Sequence, residues 1–180
     1  MTKNKGKLAV VTGASTGIGY ELAKCCAEDG FDLLIAADEP EIYEAAEDFK
    51  KLGVQVEAVE ADLATTEGVD TLYAATNGRG VDALLANAGI GLGGAFLDQG
   101  FDEIHHIIDT NITGTIYLAQ KIGKGEPWLL DLSRAFDDAG PIFFDWAHAS
   151  PKGNQIIARH MSEALTRLLH DSKPVRLATH

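Results

Sequence analysis

The stretch VVTGASTGIG, residues 10–19, decides how the rest of the chain is read. An apolar β-branched run ends at Thr12, three glycines follow at G-x-x-x-G-x-G spacing, and an amphipathic segment begins at once. Each glycine has a physical use. Gly13 permits a sharp exit from a strand, Gly17 leaves no side chain between the backbone and an approaching pyrophosphate, and Gly19 lets the following helix pack closely. The N-terminus of that helix offers unpaired N–H groups and the positive end of its dipole, which suits a phosphate. Ser15, Thr16 and Ile18, interleaved with the glycines, complete the expected cofactor loop. A glycine loop alone is a weak signal; strand before and helix after are the context it needs.

Working outward, apolar runs recur as LAVV (8–11), FDLLIAA (31–37), VQVEAVE (54–60), VDALLA (81–86) and WLLDL (128–132), alternating with segments of helical period. Such alternation is the pattern of βαβ units around a parallel sheet covered on both faces. The expectation is a three-layer α/β/α sandwich, Rossmann-like or flavodoxin-like, with five parallel strands in the order 3-2-1-4-5. In the first helix, Ile18, Leu22 and Cys26 recur beside Gly19, Ala23 and Ala27. Pro40 opens a second helix carrying Ile42, Ala45, Ala46, Phe49 and Leu52, and Gly53 closes it. Phe101, Ile104, Ile108, Ile112, Thr115, Leu118 and Ile122 mark one long sheet-covering helix, and Ile157, Met161, Ala164, Leu165, Leu168 and Leu169 mark a last one. GKGEP, residues 123–127, is the expected seam within a single domain spanning 1–180.

A length of 180 residues suits one core and leaves no room for two complete enzymes. With 15 basic against 27 acidic side chains the formal charge is -12, which argues against nucleic acid and anionic membrane as partners. A small molecule is the default. Cys25 and Cys26 are adjacent in a helical pattern and suggest reduced thiols in the cytoplasm; no histidine or cysteine shows metal-ligand spacing. The apolar run after the basic N-terminus is too short for a signal peptide or membrane span.

Asp38 ends the second strand, where a carboxylate accepts hydrogen bonds from ribose hydroxyls and repels a 2'-phosphate, favouring NAD over NADP. The same residue could instead cap the helix beginning near Pro40.

With these motifs in order, residues 1 to about 123 resemble the short-chain dehydrogenase/reductase family. The resemblance implies that Asp62 and Leu63 form an adenine-contacting pair, that Asn87, Ala88 and Gly89 shape the cofactor site, and that Asn111 stands where the family has a catalytic asparagine. It then stops. That family moves its proton with a tyrosine four residues before a lysine, on the helix after the fifth strand, and residues 133–180 contain no tyrosine. The spacing occurs only as Tyr20 with Lys24 and Tyr117 with Lys121, both on other helices and read as surface residues. Ser133 could hold the family's serine position, but without the tyrosine it moves no proton.

From about residue 128 the chain instead resembles the final block of the SGNH (GDSL-type) hydrolases. DWAHASPKGNQIIA (145–158) places Asp145 and His148 as the acid and base of a triad. The hydrolase's Gly-Asp-Ser block is missing, and the nearest substitute nucleophile is Ser15. The combined reading is an engineered chimera with no complete catalytic site, retaining weak binding of the ADP half of NAD and needing no cofactor to fold. Its alternatives are an NAD-dependent dehydrogenase and a serine esterase using Ser15, His148 and Asp145. A monomer, or a weak homodimer through the edge of the fifth strand, is expected.

Overall fold

The computed structural model describes residues 4–124 together with Lys152, Gln155, Ile156 and Arg159, which are helical. The chain divides into two compact units, Met1–Lys124 and Gly125–His180, and the boundary falls inside GKGEP. In the first unit the order is β1 (Leu8–Thr12), α1 (Gly17–Glu28), β2 (Asp32–Ala37), α2 (Glu41–Lys50), β3 (Val56–Glu60), α3 (Thr66–Ala74) and β4 (Ala83–Leu85). A 3-10 turn (Phe96–Asp98), α4 (Phe101–Ile108), a π-helical segment (Asp109–Gly114) and α5 (Thr115–Gly123) follow.

The described strands form one parallel sheet in the order β3-β2-β1-β4, with Val10 opposite both Leu34 and Leu84. The fold is the expected Rossmann-like α/β arrangement. It has four strands among the described residues; the fifth expected strand (128–132), the edge it would offer to a second copy, and the last helix's apolar positions 157–169 lie outside them. Order reverses between β1 and β4, so right-handed crossovers send α1 and α2 to one face and α3 to the other. The crevice above that reversal is where such sheets bind ligands.

β1 is wholly buried, which explains its unbroken apolar run. Ala9 and Val11 of β1 join Leu33, Ile35 and Ala37 of β2 in a cluster with Ala23, Ala27, Ile42, Ala45, Ala46 and Phe49 from α1 and α2. Burying Phe49 contributes about 1.5–3 kcal/mol. Val10, Leu34 and Ala36 alternate to the opposite face and are equally buried. At the lower edge, Asp82 accepts a hydrogen bond from the Leu8 N–H at 2.9 Å, fixing the start of β4 against β1.

Three local features depart from the sequence reading or add to it. In α1 the fully buried residues are Gly19, Ala23 and Ala27; Leu22 and Cys26 pack only partly, and Ile18 is 74% exposed. The helix is turned toward its small residues because the sheet lies too close for a large side chain. Second, α3 forms on a segment with only two buried aliphatics, Val69 and Leu72. Its start is fixed by Thr65, whose Oγ1 accepts from the Gly68 N–H at 3.0 Å.

Third, the long helix is not uniform, and the phase expected for its first half is wrong. Phe101, Ile108 and Ile112 are exposed, while Thr110, Gly114, Leu118 and Ile122 form the buried stripe. A Cβ on Gly114 would lie 1.9 Å from the Leu63 carbonyl oxygen, so the backbone itself makes the contact. Periodicity of large aliphatics could not find a face built from a threonine and a glycine.

Candidate functional site

The glycine loop has the geometry its sequence requires. Gly13 and Gly17 have φ of +65° and +60°, in the left-handed region open to glycine. A Cβ on Gly13 would sit 2.9 Å from the Ala88 Cα, and one on Gly19 would sit 2.0 Å from the Gly13 carbonyl oxygen. The loop is therefore folded back on its own helix and pressed against the exit of β4. Thr16 precedes α1 in extended conformation and supplies no side-chain cap. No cap side chain therefore satisfies the first-turn N–H groups of α1, which leaves them suited to an anion.

Thr12, at the end of β1 and 2% exposed, is the hub that joins the two loops. Its Oγ1 accepts from the N–H groups of Asn87 at 3.0 Å and Ala88 at 2.9 Å. Asn87 Nδ2 returns a bond to the Thr12 carbonyl at 3.2 Å and reaches the Gly13 carbonyl at 3.4 Å. Thr12 was not among the expected site residues. The signal available was a polar residue closing an otherwise apolar strand.

These loops and the ends of β2 and β3 enclose a cavity of about 400 Å³. Gly13, Ser15, Thr16, Ile18, Gly19, Asp38, Asp62, Leu63, Asn87, Ala88 and Gly89 all line it, as the sequence anticipates, and Gly17 stands between two lining residues. Ala37, Glu39, Ala61, Ile90 and Thr110 line it as well and were not foreseen. Asp38 does not cap α2: that helix starts after Pro40 with no side-chain cap bond. Asp62 is fixed by accepting from the Ala64 N–H at 2.9 Å.

Asn111 reaches the cavity's rim through the backbone of Ile90. Its Oδ1 accepts from the Ile90 N–H at 2.8 Å and its Nδ2 donates to the Ile90 carbonyl at 2.9 Å. The side-chain amide thus positions the segment after β4. Ser133, Asp145 and His148 lie outside the described residues, as does any pairing of Ser15 with His148.

The two displaced Tyr-x-x-x-Lys spacings, expected as surface residues, lie away from the cavity, and their tyrosines tie neighbouring helices together. Tyr20 donates to Asp48 of α2 at 3.2 Å, and burial with the neighbouring carboxylate raises its phenol above the ordinary range, the wrong direction for a proton donor. Tyr117 donates to Asp70 of α3 at 3.0 Å, and Lys121 pairs with the same carboxylate while lying over the Tyr73 and Tyr117 rings. Among the described residues no His, Cys, Asp and Glu cluster could hold a metal ion, and no helix is long and apolar enough to cross a membrane.

A parallel sheet with a glycine loop at its switch point, facing an Asn-Ala-Gly turn tied to the same strand, defines a dinucleotide-cradle type of α/β protein. Residues 7–125 match the family model described as short chain dehydrogenase, and the chain belongs to that family. It is 37% identical over 127 residues to an NADP-dependent mannitol dehydrogenase of Alternaria alternata, a match covering 66% of this chain and 47% of the relative. A 3-oxoacyl-(acyl-carrier protein) reductase from Brucella melitensis, solved in complex with NAD, superposes with a TM-score of 0.59 at 33% identity, over 66% of this chain and 48% of that one. L-sorbose reductase from Gluconobacter frateurii, complexed with NADPH and L-sorbose, gives 0.65 at 26% identity over 94% of this chain and 66% of that one. The chain spans about half the length of the curated relatives it matches. The family match supports the dehydrogenase resemblance over residues 7–125, and these matches do not show the engineered chimera or the hydrolase-like block.

Proposed function

We propose that this chain is a nicotinamide-dinucleotide-binding oxidoreductase of the short-chain dehydrogenase type that takes NAD(H) in preference to NADP(H). The observation that carries the reading is the convergence, in one 400 Å³ cavity, of the glycine loop, the Asn87–Ala88–Gly89 turn, the Asp62–Leu63 pair and Asp38. The cavity fits the group: Gly13 and Gly19 leave no room for a Cβ, so the loop backbone is drawn in beneath the α1 N-terminus. The pyrophosphate would lie on that loop and helix end, the ribose hydroxyls on Asp38, and the adenine beside Asp62 and Leu63. Asp38 and Glu39, both exposed at the cavity edge, would repel a 2'-phosphate. When bound, the nicotinamide supplies the hydride donor or acceptor. The chain's own residues bind and orient it: Thr12 and Asn87 hold the two loops in register, and Asn111 fixes Ile90 at the rim. The net charge of -12 and the local carboxylates oppose an anionic ligand, so binding is weak.

A second, binding-only version of this reading has no hydride transfer. The absence of a tyrosine from residues 133–180 accords with it.

Titration with NADH, followed by its fluorescence, tests the main reading when repeated on Gly17→Glu, whose carboxylate would occupy the phosphate path. Saturable binding lost in the variant supports it, and binding indifferent to the substitution sinks it. Oxidation of alcohols and sugar alcohols with NAD separates the oxidoreductase from the binding-only version, and turnover of an activated ester that His148→Ala abolishes would revive the hydrolase.

A further inference from the structure

The connection from α3 to β4 turns on Thr76-Asn77-Gly78-Arg79. Among the described residues Asn77 alone has a left-handed backbone without being glycine, with φ of +52°, and Gly78 follows it at +73°. Asparagine tolerates that region better than most residues, so the chain reverses here without a second glycine. The Arg79 N–H closes the turn by donating to the Thr76 carbonyl at 2.9 Å. Asn77 and Gly78 are both exposed, and a Cβ on Gly78 would meet nothing within 4 Å. The Gly78 N–H has no hydrogen-bond partner among the described residues. An unengaged amide nitrogen, uncrowded by any side chain of its own, therefore follows directly on a side-chain carboxamide.

Of the five asparagines in the chain only Asn77 precedes a glycine. Its amide makes one exposed bond, from Nδ2 to the Ala75 carbonyl at 3.2 Å. Two others are held far more firmly. Asn87 donates to the Thr12 and Gly13 carbonyls, and the next N–H, that of Ala88, is engaged by Thr12 Oγ1 at 2.9 Å. Asn111 is bonded at both ends to Ile90, and Ile112 after it lies within the π-helical segment.

We propose that Asn77 is a site of spontaneous covalent modification for which the chain itself supplies the nucleophile. The Gly78 amide nitrogen gives its proton to hydroxide or buffer base and attacks Asn77 Cγ. As the new N–Cγ bond forms, the Cγ–Nδ2 bond breaks, Nδ2 leaves as ammonia, and a cyclic imide remains. Water then opens the imide at one carbonyl or the other, giving an aspartyl residue or its β-linked isomer. No electrons are exchanged, and water is the one co-reactant consumed. Either product places a carboxylate close in sequence to Arg79, whose guanidinium pairs with Asp32 at the start of β2 at 2.8 Å. The β-linked isomer also lengthens the main chain inside the turn, so the Arg79 to Thr76 bond is lost. The turn lies at the edge where the strands begin, opposite the cavity, and its chemistry is independent of what the cavity binds.

The test holds the full chain in mildly alkaline and in mildly acidic buffer, with samples taken over days, digested and mapped by mass spectrometry. The peptide containing Asn77 is expected to gain the mass of an amide-to-acid conversion and to elute as two products. It should convert roughly tenfold or more faster than the peptides containing Asn87 and Asn111, and faster at the higher pH. One product should accept a methyl group from S-adenosylmethionine in the presence of an isoaspartyl methyltransferase. Asn77→Gln, whose amide stands one methylene further from the backbone, should yield neither product. In aged wild type the Arg79 amide should exchange its hydrogen faster than in fresh protein. An Asn77 that stays intact in the folded chain overturns the assignment, and a free peptide of residues 74–80 shows whether the fold or the chemistry protects it. Conversion of Asn87 or Asn111 at the same rate overturns it as well. Unchanged Arg79 exchange in aged protein overturns the loosening of the turn.

Discussion

Asn111 holds Ile90 at both ends of one residue, accepting its N–H at 2.8 Å and donating to its carbonyl at 2.9 Å. This pairing makes the side-chain amide act as a short length of β-ladder between the π-helical segment and the loop after β4. Gly89 is part of the arrangement, since a Cβ there would lie 3.3 Å from Asn111 Oδ1.

Replacing Asn111 by alanine should therefore free the Ile90 N–H and carbonyl together. The expected cost is about 1–3 kcal/mol in urea denaturation, with the Ile90 amide exchanging its hydrogen faster than in wild type. Asn111→Asp should be no rescue, because a carboxylate cannot donate to the Ile90 carbonyl. An Ile90 amide that stays protected in Asn111→Ala would show that something else holds this loop.

Glycines that look alike in sequence should behave differently. Gly19→Ala and Gly114→Ala each place a methyl about 2 Å from a backbone carbonyl oxygen and should destabilise the protein by about 1–3 kcal/mol. Gly93→Ala meets nothing within 4 Å and should shift stability by no more than ~0.5 kcal/mol. Equal urea midpoints for all three would contradict the close approaches.

Asp38 should set the choice between the two nicotinamide cofactors. Asp38→Ala removes a negative charge at the end of β2, so the affinity for NADPH relative to NADH should rise by roughly tenfold, about 1.4 kcal/mol. Parallel fluorescence titrations measure the ratio, and an unaltered ratio would move the discrimination elsewhere.

The pairing of Asp70 with Lys121 and Tyr117 should be visible in acid. The hydrogen bond from Lys121, then that from Tyr117, holds the Asp70 carboxyl below its ordinary 3.8. A carboxylate depressed in the folded state stabilises above its unfolded value, and that contribution is lost as pH falls through the folded one. The stability difference between wild type and Asp70→Asn should then be constant from about pH 5 to 7 and shrink below about pH 4, most clearly at low salt. A difference independent of pH would mean the ion pair has no part in docking α3 on α5.

Much of this was legible in the linear chain. The glycine spacing after LAVV, the apolar runs and the acidic residue closing β2 are short-range patterns whose chemistry depends on the residues beside them, and they located the fold and about two-thirds of the cavity wall. The buried face of α4 and α5 was not legible, because its close contacts run through Gly114 and Thr110, which carry no hydrophobic signal. Ile18 misled for the converse reason: an aliphatic side chain at helical spacing was turned outward by the closeness of Gly19 to the Gly13 carbonyl.

By itself, then, the sequence determined the βαβ alternation, the glycine loop and the acidic end of β2, since hydrophobic period and glycine stereochemistry act over a few residues. Tertiary structure alone decided that Thr12 binds two loops together, that Asn111 clamps Ile90, and that the Thr110 hydroxyl is buried without a partner among the described residues, beside the cavity. Those relationships join β1 to residues more than seventy positions away, or rest on a π-helical turn that no local pattern encodes.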